Sequence, residues 1–223
     1  MERYWDERYA SSETSGSGSI GSSRIWKWDV IDRFLPQIDH IIDVGCGDLS
    51  FWEGRSCKHY TGIDISKTVI EKNREKRPDW NFIVSPAETH IEGLKSECVF
   101  CLDVLFHIMD DKTFIAVLNN LCRYATKYII IYTWIRNPLT KSLFKRNMRN
   151  VLAGIVKRNT RLIRDSLHTL RILSITPYTD GKYQYFRPLE EYMQIFERNG
   201  FKLAEKRENQ DKFGALFIFK QAN

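Results

Sequence analysis

A chain of 223 residues with 43% hydrophobic and 28% charged residues has the composition of one soluble globular domain with a single sizeable core. No apolar run approaches the roughly 18–20 residues of a membrane span, and the N-terminus "MERYWDERYASSETSGSGSIGSS" lacks the apolar stretch of a secretory signal. The net charge is +6, and the five scattered cysteines (Cys46, Cys57, Cys98, Cys101, Cys122) point to reduced thiols in a cytoplasmic protein rather than to a disulfide scaffold.

Residues 10–23 are rich in Ser and Gly and are expected to form a flexible loop. A helix is predicted over Arg24 to Leu35, with Trp26, Val30 and Phe34 along one side and Pro36 after its end. "HIIDVG" is a short apolar strand, and Tyr60 to Ile65 is a second. Ser66 is placed to cap the helix "KTVIEKNREKR", which stops before Pro78. "WNFIV" and "ECVFCLDV" are the third and fourth strands. Cys98 and Cys101 form a C-x-x-C inside the fourth, with no second pair, so reduced thiols and no metal are expected, a redox or zinc pair being the other reading. "DDKTFIAVLNNLCRYA" is a helix with Phe114, Val117, Leu118 and Leu121 on one face and acids in its first turn, and "YIIIYTW" is a fifth strand.

Beyond a long segment, Pro188 opens a helix carrying Leu189, Met193 and Phe196, which Gly200 closes. "FKLAEKRE" and "FGALFIFK" follow, joined by the short link "NQDK", and read as a hairpin. Nearly continuous apolar strands alternating with helices mean a parallel sheet covered on both faces. The fold class is therefore α/β: a doubly wound, mostly parallel sheet with helices on both faces and a C-terminal antiparallel hairpin, in one domain over residues 1–223.

The first strand ends abruptly in "DVGCGD". Ligands of open parallel sheets bind beyond the carboxyl ends of the strands. Glycines there let backbone approach a ligand, and the N–H groups of the turn are expected to favour polar or anionic ligand groups. The second strand ends at Asp64, 17 residues after Gly47. An acid at that tip can accept hydrogen bonds from both hydroxyls of a ribose, which points to a nucleoside-containing cofactor. The frame Gly45-Cys46-Gly47-Asp48-Leu49-Ser50 has no third glycine, so it does not complete the G-x-G-x-x-G of nicotinamide or flavin folds.

"DVGCGD", "GIDIS" and "CLDVLFHI" together resemble the class I S-adenosylmethionine-dependent methyltransferases. The resemblance is strongest from 39 to 133 and continues through the C-terminal helix and hairpin; "YWDERY" resembles a segment that often precedes the core of that family. It implies a seven-stranded sheet with the last strand inserted antiparallel. It also implies that Asp43, Gly45, Cys46 and Gly47 face the methionine part of S-adenosylmethionine, that Asp64 binds the ribose and that Ile65 packs on the adenine. The Ala87 amide would meet the adenine edge, and Leu102 and Asp103 would lie beneath the sulfonium. Asp103 would position cofactor or substrate. Two positions depart from the pattern. Leu49 stands where a third glycine is frequent, and Pro86 stands where an acid commonly meets the adenine amine, a contact that is either left to Ser85 or Glu88 or absent. His107 sits where many relatives carry a histidine and is the candidate base for a hydroxyl acceptor; a structural role in its loop is the other reading. Tyr4, Trp5 and Tyr9, in the N-terminal segment 1–36, either close over the cofactor as a lid or pin a terminal helix.

Residues 134–186 form a basic insertion. From Arg136 to Arg171 there are ten Lys or Arg and one acid, Asp165. Three readings stay open: a helical cap over the acceptor pocket, a contact of residues 141–171 with an anionic membrane surface or lipid-linked acceptor, and a contact with RNA. The sequence thus points to a methyltransferase, cytoplasmic or peripheral at a membrane, acting on a small-molecule or glycan- or lipid-linked acceptor. RNA or protein methylation and a non-catalytic scaffold that binds S-adenosylmethionine are the alternatives.

Overall fold

A computed structural model describes residues 2–11, 14–35, 37, 39–136, 185–209 and 213–222. Most of the basic insertion, including the expected helices over 141–171, lies outside the described residues, as does most of the hairpin link. Seven strands form one sheet: β1 (His40–Val44), β2 (His59–Asp64), β3 (Asn81–Val84), β4 (Ser96–Leu102), β5 (Ala125–Trp134), β6 (Phe201–Glu208) and β7 (Gly214–Gln221). Their order is β3-β2-β1-β4-β5-β7-β6. The first five strands are parallel, and β7 lies antiparallel between β5 and β6. The chain moves outward in one direction from β1 to β3, then crosses to β4 on the other side of β1. The strand order therefore reverses between β1 and β4, the place where such sheets open a crevice for ligands.

The apolar runs divide into two cores because side chains alternate across a strand. Ile41, Cys98, Phe100, Ile130, Tyr132, Leu216 and Ile218 face one side. Ile42, Val44, Val99, Cys101, Ile129, Ile131, Phe217 and Phe219 face the other. On the first side lie α2 (Gly21–Phe34) and α3 (Lys67–Lys76), through Trp28, Ile31, Val69 and Ile70. On the second lie α4 (Asp111–Tyr124) and α5 (Leu189–Arg198), through Phe114, Val117, Leu121, Tyr192 and Phe196. The same alternation puts Cys98 and Cys101 on opposite faces of β4, so this C-x-x-C cannot act as a pair. All five cysteines are free and buried.

Element boundaries follow the expected caps. The Ser66 hydroxyl accepts from the Val69 amide at 3.3 Å at the start of α3, and Asp110 does the same for Thr113 at 2.8 Å at the start of α4. Gly200 closes α5 with a φ of 83°. The N-terminal region differs from expectation. Helix α1 (Glu2–Ala10) precedes α2, and α2 starts at Gly21, three residues before the predicted Arg24. Within the expected flexible loop, Ala10 ends α1, Gly21–Ser23 open α2, and the described residues 14–20 are tied down. The Ser15 hydroxyl donates to Asp48 at 2.7 Å, and the Arg8 guanidinium donates to the Thr14 carbonyl at 2.9 Å. The side-chain bonds of Ser15 override the looseness its composition suggested. Helix α1 is itself bonded to α3, because Asp6 accepts from the Ser66 hydroxyl at 2.5 Å and Lys72 donates to the Tyr9 carbonyl at 2.6 Å.

Tryptophans fill the first core between α2 and the sheet. Trp28 stacks on Phe51 at 4.6 Å between centroids and meets Trp52 edge-on at 4.9 Å, and Trp52 stacks over Phe100 at 5.8 Å. Each buried indole N–H has an acceptor: Phe51 carbonyl for Trp28, Asp43 for Trp52 and Cys57 carbonyl for Trp80. No helix among the described residues is long and apolar enough to cross a membrane. Phe100 is fully buried and touches three of these rings. Phe100→Ala is therefore expected to lower unfolding free energy by about 3–5 kcal/mol, read as a shift of the urea midpoint.

Candidate active site

One cavity opens beyond the carboxyl ends of β1, β2 and β4. All eleven residues picked out from the sequence line it: Asp43, Gly45, Cys46, Gly47, Asp64, Ile65, Ala87, Glu88, Leu102, Asp103 and His107. The wall also includes Trp5, Tyr9, Ser15, Ser19, Phe51, Ser85, Val104 and Thr113. Of the aromatics of α1, Trp5 and Tyr9 reach the cavity, while Tyr4 meets the Trp5 ring edge-on at 5.2 Å.

The turn after β1 differs from an anion cradle. The amides of Gly45 and Cys46 both donate to the Ile63 carbonyl, at 2.7 and 3.1 Å. The Gly47 amide donates to Asp64 at 3.0 Å, and the Asp48 amide to the Ser15 hydroxyl at 2.9 Å. These four donors are spent inside the protein, which corrects the expectation that the turn offers them to a ligand. The glycines serve shape instead. Gly45 and Gly47 have φ of 76° and 56°, and a Cβ on either would collide, with Val104 at the first and with Ser15 at the second. Leu49, the position without the third glycine, still takes the left-handed conformation with a φ of 63°. Its buried side chain packs in the first core and holds it there.

Asp64 stands at the end of β2 with both oxygens engaged, accepting from the Gly47 amide and from the Ser66 amide at 2.9 Å. An ionised carboxylate offers about four lone-pair positions, so these two amides do not exhaust its capacity to accept. Asp43 is used differently. One of its oxygens accepts from the Trp52 indole at 2.8 Å and from the Tyr60 hydroxyl at 3.0 Å. It is an anchor for the aromatic core as well as a wall of the cavity. Burial pushes the Asp43 and Asp64 carboxyls up from an ordinary 3.8 to about 6, against the bonds each accepts. Burial also pushes the Cys46 thiol well up, so it is not a ready nucleophile. Asp48 goes the other way: burial raises it, but bonds from Ser15 and Ser50 outweigh burial and hold it low.

At the β4 end, Asp103 adopts a φ of 61° and its carboxylate pairs with the buried ammonium of Lys27. Lys27 comes from α2, 76 positions away in sequence, and no local pattern marks it. His107 closes a short 3-10 turn, Leu105–His107, and its ring meets Trp5 edge-on at 5.2 Å. After β3, Ser85 bonds to Asp64 through the backbone, with its amide donating to the Asp64 carbonyl at 2.9 Å. Asn120 holds the Ala87 carbonyl at 3.0 Å, and Glu88 stands next on the wall. Where the insertion returns, Arg187 is buried and donates to the carbonyls of Ile108 and Met109, and the Tyr185 amide donates to the Phe106 carbonyl at 2.7 Å. Among the described residues, no group of three or more His, Cys, Asp or Glu could hold a metal ion.

Comparison with known proteins agrees with this geometry. Residues 42–130 match the family model described as a methyltransferase domain. A comparison with curated protein sequences returns no match. Among solved structures, magnesium protoporphyrin IX methyltransferase (ChlM) from Synechocystis PCC 6803 with bound S-adenosylhomocysteine is similar over 99% of this chain and 98% of its own, with 18% identity and a TM-score of 0.62. N-methyltransferase NodS from Bradyrhizobium japonicum WM9, in complex with S-adenosylhomocysteine, is similar over 100% and 98%, with 11% identity and a TM-score of 0.65. The O-methyltransferase NcsB1 from neocarzinostatin biosynthesis, holding S-adenosylmethionine and a naphthoic acid, covers 83% of this chain with 49% of its own length, at 12% identity and a TM-score of 0.51. At these identities the structures speak for the fold.

The raised values of Asp43 and Asp64 make stability depend on pH. Each group favours folding fully below its ordinary value, 3.8, and that contribution is lost as pH rises through about 6. Asp43→Asn keeps an oxygen for Trp52 and Tyr60 but cannot ionise. It is expected to gain on the wild type across this window, by up to about 1.4 kcal/mol per pH unit. Urea unfolding at several pH values checks this; a pH-independent difference contradicts it.

Proposed function

We propose that this chain, an S-adenosylmethionine-dependent methyltransferase of class I by its domain over residues 42–130 and its sheet order, acts on a small-molecule acceptor, free or linked to a glycan or lipid. The observation that carries the reading is the cavity at the β1–β4 switch point, where the glycine turn, Asp64 and Asp103 meet. The residues present fit the cofactor. The left-handed glycines keep side chains off the turn where it lines the cavity, and the wall carries the carboxyls of Asp43, Asp64 and Glu88, acceptors for the hydroxyl and ammonium groups of such a ligand. When bound, S-adenosylmethionine supplies a methyl group made electrophilic by a positively charged sulfur, so the protein's task is placement.

In this reading the remaining lone pairs of Asp64 take the ribose hydroxyls, Ile65 packs on the adenine and the Ala87 amide meets its edge. Glu88 stands in for the acid that Pro86 replaces. The Gly45–Gly47 turn receives the methionine part, with Leu102 and Asp103 beneath the sulfur. Trp5 and Tyr9 cover the cavity from α1 and limit water. His107, on the acceptor side, takes the proton if the acceptor is a hydroxyl. Holding acceptor and methyl close and aligned is worth roughly 7–11 kcal/mol in well-ordered displacements.

A concave, aromatic-walled cavity suits a compact acceptor better than a flat macromolecular surface. The protoporphyrin named for the Synechocystis enzyme and the naphthoic acid held by NcsB1 are acceptors or ligands of that size. The test is incubation of the protein with cell extract and S-adenosylmethionine labelled in its methyl group. Label is expected in material that stays soluble in acid or enters organic solvent. Label in acid-precipitable material sensitive to nuclease or protease would overturn the small-acceptor reading.

A further inference from the structure

Lys27 has a side chain with no exposure, an expensive place for an ammonium. It is held by the Asp103 carboxylate, by the Gly18 carbonyl at 3.0 Å and by the face of Tyr132, 3.9 Å from the ring centroid. A Cβ on Gly18 would collide with the Asp103 carboxylate, so the loop before α2 is shaped to let this pair close. Lys27 is not itself on the cavity wall, whereas Asp103 is, with a side chain 19% exposed. The cavity runs from Asp64 and Glu88 at the β2–β3 side, across the glycine turn, to Asp103 and His107 at β4. A ligand held by its ribose at Asp64 therefore extends its far end toward Asp103.

We infer that Lys27 is a positioning residue acting through Asp103: it cancels that carboxylate's charge at the β4 end, so that the site does not favour a sulfonium over a neutral sulfide. The inference rests on the cofactor reading above. The reaction turns a cationic sulfur into a neutral one. A bare carboxylate at that end would hold the cationic reactant more tightly than the transition state, in which the charge is already dispersing, and so would oppose transfer. An ion pair in its place leaves the wall shaped but electrically quiet. Of the other acids of the wall, Asp43 and Asp64 sit toward β1 and β2, each already engaged by hydrogen-bond donors, and Glu88 stands after β3.

Calorimetric titration of S-adenosylmethionine and S-adenosylhomocysteine into four proteins tests this without an acceptor. The proteins are the wild type, Lys27→Met, Asp103→Asn and the double variant. Lys27→Met leaves the carboxylate bare, and is expected to shift the affinity ratio about five- to tenfold toward S-adenosylmethionine. Asp103→Asn leaves the ammonium, and is expected to shift the ratio the opposite way. The double variant is expected to return it to within about twofold of the wild type. A structural role alone would weaken both ligands together and leave the ratio unchanged in all variants, and that result overturns the inference. Should Lys27→Met prove unfolded by circular dichroism, Asp103→Asn and the double variant carry the test. Failure of the wild type to bind either ligand would overturn the cofactor reading, and the inference with it.

Discussion

The carboxylate of Asp64 joins the two loops on which the site depends. One oxygen takes the Gly47 amide from the turn after β1, and the other takes the Ser66 amide at the start of α3. The β2 backbone reinforces the link, because the Ile63 carbonyl accepts from both Gly45 and Cys46. The turn after β1 therefore cannot move without breaking the end of β2. The cost is a buried carboxyl pushed up to about 6. A carboxyl kept buried against that penalty on a cavity wall is characteristic of ligand sites.

The rest of the architecture supplies a rigid frame for this joint. Two cores, on opposite faces of the sheet, lock β1, β4 and β5 in place. The aromatic cluster reaches the site through Asp43, whose oxygen holds both Trp52 and Tyr60. Helix α1 is bonded to α3 and sets Trp5 and Tyr9 in the cavity wall. The loop after α1 follows, with Ser15 on Asp48 and Gly18 beside the Lys27–Asp103 pair. The N-terminal residues are thus part of the site's wall.

Much of this was legible because the decisive signals are local. Apolar runs mark the five parallel strands, Ser66 marks the start of α3, and the spacing from Gly47 to Asp64 places an acid beside the turn. The eleven residues chosen on motifs converge on one cavity because strand ends in a parallel sheet share one edge. What escaped depends on distant partners. Lys27 has no motif, and its meaning comes only from Asp103. The Ser- and Gly-rich stretch reads as loose because composition does not report that Ser15 has a half-buried carboxylate, Asp48, to bond. Nothing in "DVGCGD" reveals that the Ile63 carbonyl, Asp64 and the Ser15 hydroxyl consume the turn's amides. Leu49 in the left-handed region is likewise a tertiary effect, a buried side chain overruling a backbone preference.

The central claim is that Asp64 both ties the turn and receives a nucleoside. Calorimetric titration of S-adenosylhomocysteine into the wild type and Asp64→Asn, at pH 7.5 and again at pH 5, tests it most directly. Micromolar binding by the wild type is expected at the higher pH, weakened at least about tenfold when the carboxylate is neutralised by mutation or by protonation below about 6. Equal affinity in both proteins at both pH values would contradict it.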